Sequence, residues 1–222
     1  MTVIVLCSVS LVTASPVVGA DLPPHELLIS RVDAAGGVRQ AQQESMSEGR
    51  RLAEACDFCH GIDGNKSRKD MGLQVPNLAS QQPLYLLRQL KNFASKRRLQ
   101  PNMHRVSTEL NDDQRVTLSL YFSAIPLQPY QGEMSMADIQ SGKEIFQRLC
   151  IYCHGKRATG QGAIPRLHGQ NPNYIVTNLI RFRDKGPTRA HAGMSAITRN
   201  LKDAEIEALS VFLATLSLEA GQ

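Results

Sequence analysis

The 222-residue sequence predicts an all-α protein made of two tandem domains of one kind, related by internal duplication. Three observations carry that prediction. A five-residue cysteine and histidine pattern occurs twice, at Cys56–His60 and at Cys150–His154. The residues that follow each copy match one another over long stretches. Apolar positions recur at helical spacing, and no segment shows the polar and apolar alternation of a half-buried strand.

A duplication constrains every other feature of a chain. At an offset of 89, Pro76, Leu78, Gln81, Pro83, Tyr85, Leu90 and Phe93 match Pro165, Leu167, Gln170, Pro172, Tyr174, Leu179 and Phe182. Further on, at an offset of 91, Met103, Leu110, Asp112, Leu118 and Ser119 match Met194, Leu201, Asp203, Leu209 and Ser210. The offset changes within 61–75 against 155–164 and within 94–102 against 183–193. Both pairs are rich in glycine or charge, as loops are.

The elements follow in chain order. Residues 3–18 are uncharged and mostly apolar, but Ser8, Ser10, Thr13, Ser15 and Pro16 interrupt them, so they make a poor membrane span. They end in Val18-Gly19-Ala20, a small-residue cleavage pattern. A signal peptide over 1–20 and a periplasmic protein are therefore expected, although no Lys or Arg precedes the apolar run. An uncleaved anchor is the alternative. Cys7 is not preceded by a small residue, which argues against a lipid anchor. An N-terminal extension (21–45) carries His25. The first domain spans 46–125, the linker 126–137 holds Pro126, Pro129 and Gly132, and the second domain spans 138–222.

Each domain opens with a helix that carries the cysteines, about 46–58 and 138–152. A second helix follows at about 83–97 and 172–185. Leu84, Leu87, Leu90 and Phe93 line it in the first copy, and Ile175, Leu179 and Phe182 in the second. The last helices, about 112–124 and 203–217, turn Val116, Leu120 and Phe122, or Ile206, Leu209, Phe212, Leu213 and Leu216, to the core. Asn111 with Gln114 forms a capping pair for the first of them.

Composition agrees with small globular domains: 42% hydrophobic, 20% charged, 5% aromatic and no tryptophan. Cores this small profit from a cofactor or crosslink. The formal charge of +5 is spread, with 14 basic and 12 acidic residues in 21–126 and 11 and 8 in 127–222. The densest run, Lys96-Arg97-Arg98, lacks interleaved aromatics and reads as a solvated helix end. No nucleic acid, DNA included, is expected as a partner.

With Cys7 in the leader, every remaining cysteine lies in a C-x-x-C-H motif, the pattern of covalent c-type haem attachment. Two thiols three residues apart on a helical turn reach the two vinyl groups of one porphyrin, and the next histidine faces the iron. A redox dithiol needs no trailing histidine and would sit near a βαβ pattern. A zinc site would bring its two pairs closer than the 94 residues between these motifs. Cys56, Cys59, Cys150 and Cys153 are therefore expected to attach two haem c groups, with His60 and His154 on the iron.

Met103 and Met194 are the methionines that align between the copies, 43 and 40 residues after their histidines, in loops before the last helix. A thioether favours ferrous iron and raises the potential. A lone methionine reads more readily as a core filler, but the matched position favours ligation. His104 and His191 compete, yet neither has a counterpart in the other copy. His168 matches Ala79, so an exposed or structural role is expected. Met46, Met71, Met134 and Met136 are unmatched.

Over about 46–217 the sequence resembles the dihaem class I cytochromes c of the cytochrome c4 type. The likeness rests on the two motifs, Pro76-Asn77-Leu78 and Pro165-Arg166-Leu167, Gln81 with Tyr85, Gln170 with Tyr174, the two methionines and the Asp-initiated last helices. It implies two class I cytochrome c domains about a pseudo-twofold axis, passing electrons through the periplasm in a respiratory chain, often towards a terminal oxidase. The implied partners are a redox donor and acceptor: a dehydrogenase, a bc1-type complex or a terminal oxidase, with peripheral association with membrane complexes. Iron closed by His and Met has no open position for substrate, so no catalytic residue is expected. Two other readings stand beside the mobile carrier. One is the electron-accepting subunit of a periplasmic dehydrogenase, and the other a haem enzyme with a labile axial ligand. The charged stretch Lys66–Leu73, the Lys96–Arg98 run and the extension depart from the family and bear on the partner. Tyr85, Tyr174, Arg88 and Arg181 are expected either at haem propionates, or at the surface or in interdomain packing.

Overall fold

The computed structural model describes residues 22–65, 75–128, 130, 135–186 and 191–216. The expected signal peptide, Lys66–Leu73 and much of the linker lie outside them. Among the described residues there are eleven helices and no strand. The first half holds α1 (Pro24–Ala34), α2 (Val38–Glu44), α3 (Met46–His60), α4 (Pro83–Ala94), α5 (Pro101–Glu109) and α6 (Asp112–Ala124). The second holds α7 (Met136–Leu149), α8 (Ile151–His154), α9 (Pro172–Arg183), α10 (Ala192–Thr198) and α11 (Asp203–Thr215).

Local chemistry sets the helix starts. Proline opens α1, α4, α5 and α9, where its fixed φ suits the first turn and its missing N–H costs nothing. Asn111 and Gln114 form the expected capping box on α6, with both bonds at 2.9 Å. The Asn171 side chain caps α9, accepting from the Asn173 N–H at 3.0 Å.

In each half the first long helix crosses the last at a glycine. A Cβ on Gly142 would lie 2.1 Å from the Ala208 carbonyl oxygen of α11, and one on Gly49 2.4 Å from the Tyr121 Cβ of α6. Only hydrogen fits at either place, so the axes approach closely. Phe146, Phe212, Ile206 and Leu209 pack around the second crossing, and Ala53, Leu86, Leu118 and Phe122 around the first. The chain has one more residue between Gly142 and Cys150 than between Gly49 and Cys56. An extra residue rotates all that follows on a helix by about 100°. The second copy absorbs it as a break: Cys150 sits at φ −113° and ψ −27° between α7 and α8, whereas α3 runs unbroken through His60.

The extension is part of the first half's core. Leu27, Leu28 and Ala41 pack with Leu87, Val116 and Leu120. Arg31 donates to Thr117 Oγ1 at 2.7 Å and to Asp113 Oδ1 at 2.6 Å, and Gln42 donates to Ser123 Oγ at 2.8 Å. With α1 and α2 on its outer face, α6 is buried all round from Val116 to Phe122. Leu28→Ala should therefore cost about 2–4 kcal/mol. The check is urea unfolding, with the midpoint lowered at unchanged slope.

The two halves meet through a polar, pseudo-symmetric seam. Gln81 accepts from the Arg166 N–H at 2.7 Å and donates to the Arg166 carbonyl at 3.1 Å. Gln170 accepts from the Asn77 N–H at 2.7 Å and donates to the Asn77 carbonyl at 3.0 Å. Each glutamine amide thus pairs with a backbone residue of the other half as a neighbouring strand would. Asn77 also donates to the Gly169 carbonyl at 2.9 Å, and Asn171 to that of Val75 at 3.0 Å. Arg166 is 2% exposed, and its guanidinium donates to the carbonyls of His168, Ala79 and Asn77. Arg98 leaves the basic run to stack on Phe93, 4.4 Å from the ring centroid, and donates to Tyr174 Oη across the seam at 2.9 Å. Lys96 and Arg97 remain exposed.

Candidate functional site

Cys56, Cys59 and His60 occupy the last turns of α3. Cys150 stands at the helix break, with Cys153 and His154 on α8. Gly61 (φ +74°) and Gly155 (φ +77°) end the helices directly after the histidines, in a conformation that costs other residues more. Both histidines are 6% exposed. His60 Nδ1 donates to the Pro76 carbonyl at 3.0 Å, and His154 Nδ1 to the Pro165 carbonyl at 3.0 Å. A carbonyl only accepts, so each Nδ1 carries the proton and each Nε2 presents a lone pair.

Burial holds both imidazoles below the usual histidine pKa. The Arg98 charge adds to this at His60, while the proline bonds work the other way. The neutral ring is the form that binds a metal. Burial, with the neighbouring cysteine second, pushes the Cys56 and Cys150 thiols up to about 11. Cys59 is half-buried and Cys153 exposed, and none of the four is in a disulfide. Two free thiols a helical turn apart, beside a neutral imidazole with Nε2 available, fit the attachment chemistry of haem c.

The methionines depart from expectation. Met103 and Met194 are not in loops but in the first turns of α5 and α10, both half-buried. These helices are too short to show a hydrophobic period. The Met103 N–H donates to Gln100 Oε1 at 2.6 Å, and the Met194 N–H to His191 Nδ1 at 3.2 Å. Gln100 and His191 are themselves matched at the offset of 91, so His191 has a counterpart as a helix cap. His104 Nδ1 donates to the Phe93 carbonyl at 2.9 Å, tying α5 to α4. Tyr174 takes part in the interdomain packing named as its alternative role, and Arg88 is exposed.

His168 is buried, 4% exposed, and not at the surface. Burial first, then the charges of Arg166 and Arg157, lower its pKa to about 4. A histidine whose folded pKa is depressed contributes stability that is complete above its unfolded pKa near 6.5. That contribution is lost as pH falls towards 4. The full effect is about 3 kcal/mol. Urea midpoints measured between pH 7 and pH 4 should fall, and His168→Gln should flatten that dependence.

The site residues that sequence reasoning missed are those behind the histidines. Gln81, Gln170 and Arg166 are buried polar side chains in matched segments. Their signal was a polar match at 81 and 170, with no role attached.

Two helical domains, each with a C-x-x-C-H turn and a proline-held histidine, define a c-type cytochrome with two haems. The family described as cytochrome c oxidase, cbb3-type, subunit III, matches residues 137–213. Cytochrome c4 of Thiocapsa roseopersicina is 30% identical over 177 residues, covering 73% of this chain and 87% of its own. The thiosulfate dehydrogenase electron acceptor of Stutzerimonas stutzeri (strain A1501) is 27% identical over 212 residues, covering 88% and 94%. Among solved structures, Acidithiobacillus ferrooxidans cytochrome c4 aligns with a TM-score of 0.66 and 29% identity, over 73% of this chain and 99% of that one. The chain belongs to the cytochrome c4 family. It is a dihaem electron-transfer cytochrome with two covalently bound haem c groups.

Proposed function

We propose that the chain is a periplasmic carrier of single electrons, exported by residues 1–20, with Cys56 and Cys59 attaching one haem and Cys150 and Cys153 the other. In this reading His60 with Met103 and His154 with Met194 would hold the two irons, the first pair within a domain of 46–125 that takes the 21–45 extension into its core and the second within 138–222. The observation that carries it is the matched pair of buried, neutral histidines, each with Nδ1 held by a proline carbonyl. Haem c supplies a reversible ferric and ferrous couple. The chain supplies the rest. The proline carbonyls fix ring tautomer and orientation, and the helix caps at Gln100 and His191 fix where the methionines stand. The polar seam holds both sites in one body, so it would keep two bound haems in a fixed relation to one another.

Absorption spectroscopy of the purified holoprotein tests this. The ferric form should show a far-red sulfur-to-iron band accounting for both haems, and the ferrous form should not bind carbon monoxide. A haem that lacks the band and binds carbon monoxide would reject the ligand pair in its half and favour the enzyme reading. The similarity to a thiosulfate dehydrogenase electron acceptor over 88% of the chain supports a second reading, an electron-accepting subunit of a periplasmic dehydrogenase. A stable complex with such an enzyme on isolation would favour it over free diffusion to a bc1-type complex or terminal oxidase. Among the described residues no helix is long and apolar enough to cross a membrane.

A further inference from the structure

The seam and the histidines share atoms. The carbonyl of Pro76, which accepts from His60 Nδ1, and the N–H of Asn77, which donates to Gln170, are the two ends of one peptide group. The carbonyl of Pro165, which accepts from His154 Nδ1, and the N–H of Arg166, which donates to Gln81, are the two ends of another. Two hydrogen-bonded chains therefore cross the seam. One runs from Gln170 in the second half through the Pro76–Asn77 peptide to His60 in the first. The other runs from Gln81 in the first half through the Pro165–Arg166 peptide to His154 in the second. All four bonds lie between 2.7 and 3.0 Å.

We propose that Gln81 and Gln170 are crossed positioning residues, each setting the reduction potential of the haem in the other domain. The inference rests on His60 and His154 being the proximal ligands. The physical basis is hydrogen-bond cooperativity. A peptide whose N–H is engaged carries more negative charge on its carbonyl oxygen and accepts more strongly, by some 10–30% per bond. A stronger acceptor at Nδ1–H makes the imidazole more basic and a better donor to iron. That favours ferric over ferrous iron and lowers the potential. The glutamines are 4% and 3% exposed, so water does not replace the amide when it is removed. The glutamine Nε2 groups hold the adjacent carbonyls of Arg166 and Asn77, which fixes the angle of the whole peptide.

The test is redox titration of the holoprotein followed by proton NMR, which resolves hyperfine-shifted signals haem by haem. Met103→His and Met194→His variants, each of which alters one set, assign the signals. Gln170→Met should raise the potential of the haem at Cys56 and Cys59. The expected change is about threefold in the ferrous to ferric ratio at fixed solution potential, or ~28 mV at 59 mV per tenfold for one electron. Gln81→Met should do the same to the haem at Cys150 and Cys153. The haem in the mutated residue's own half should move much less. Gln170→Glu retains an oxygen that can accept from the Asn77 N–H, and it should not raise the potential. A loosened seam would instead move both haems together, or raise the potential in the glutamate variant as well. Either of those results overturns the proposal, as does a shift confined to the mutated half or no shift at all. Failure of the methionine reading is seen separately: the unmutated ferric protein would then lack the shifted methionine signals of His and Met ligation, whereas the crossed pattern, which runs through His60 and His154 alone, is still upheld or overturned by the glutamine variants.

Discussion

Met194→His is expected to lower the midpoint potential of one haem on the order of 0.2 V and to leave the other near its original value. Axial ligation spans roughly 0.8 V across haem proteins, and exchange of a thioether for an imidazole is among the larger steps within it. The thioether is soft and neutral and stabilises ferrous iron, whereas imidazole is the stronger donor to ferric iron. Met194 stands in the first turn of α10, its N–H held by His191 at 3.2 Å. The substitution leaves that backbone bond in place. Spectroelectrochemistry should resolve two waves, and half of the far-red sulfur band should disappear. Met103→His should give the converse result, since Gln100 caps α5 in the same manner. An unchanged potential and a full sulfur band in either variant would remove that methionine from the iron.

Gly142→Ala is expected to destabilise the second domain by about 3 kcal/mol or more, beyond the usual cost of overpacking. Its new Cβ would meet the Ala208 carbonyl oxygen at 2.1 Å and the Phe212 Cβ at 2.7 Å. The nearest atom is backbone of α11, so relief requires the two helices to separate. The roughly 1 kcal/mol that alanine gains over glycine in a helix offsets only part of this. Gly49→Ala meets the Tyr121 side chain instead, at 2.4 Å from Cβ. Tyr121 is itself tied to the Ile62 carbonyl at 2.8 Å. That variant should be destabilised to a similar degree, because Tyr121 Cβ is fixed by its own backbone and relief again requires the helices to separate. At Gly162 an added methyl would meet nothing within 4 Å, but φ is +54°, so Gly162→Ala serves as a strain-only control. Urea unfolding monitored at each haem should show the second domain failing first in Gly142→Ala.

The long helices and the haem motifs were legible because each rests on a local pattern. The apolar period of α4, the Asn111 cap and the C-x-x-C-H turns need no knowledge of the rest of the chain. α5 and α10 were not legible, because seven to nine residues with one cap give too little period to read. The extension was opaque for another reason. Leu27 and Leu28 acquire meaning only against Val116 and Leu120, about ninety residues on. The glutamines were visible as a match and silent as to role, since their partners are backbone atoms, which carry no sequence signature. His168 left an exposed or a structural role open because its counterpart is Ala79, and the structural one follows only once Arg166 and the seam enclose it.

The seam also bears on descent. Duplicated domains ordinarily drift apart position by position, each free to change as its own packing permits. Here the two glutamines grip main-chain atoms, so the same residue stands at 81 and 170 while the residues they grip are free to differ. Asn77 and Arg166 show that freedom: the gripped residue is a short amide in one half and a long cation in the other. The cation has its own acceptors on both sides of the seam. Neither half could now return to life as a freestanding ancestor without leaving those amides and that charge to be accommodated anew.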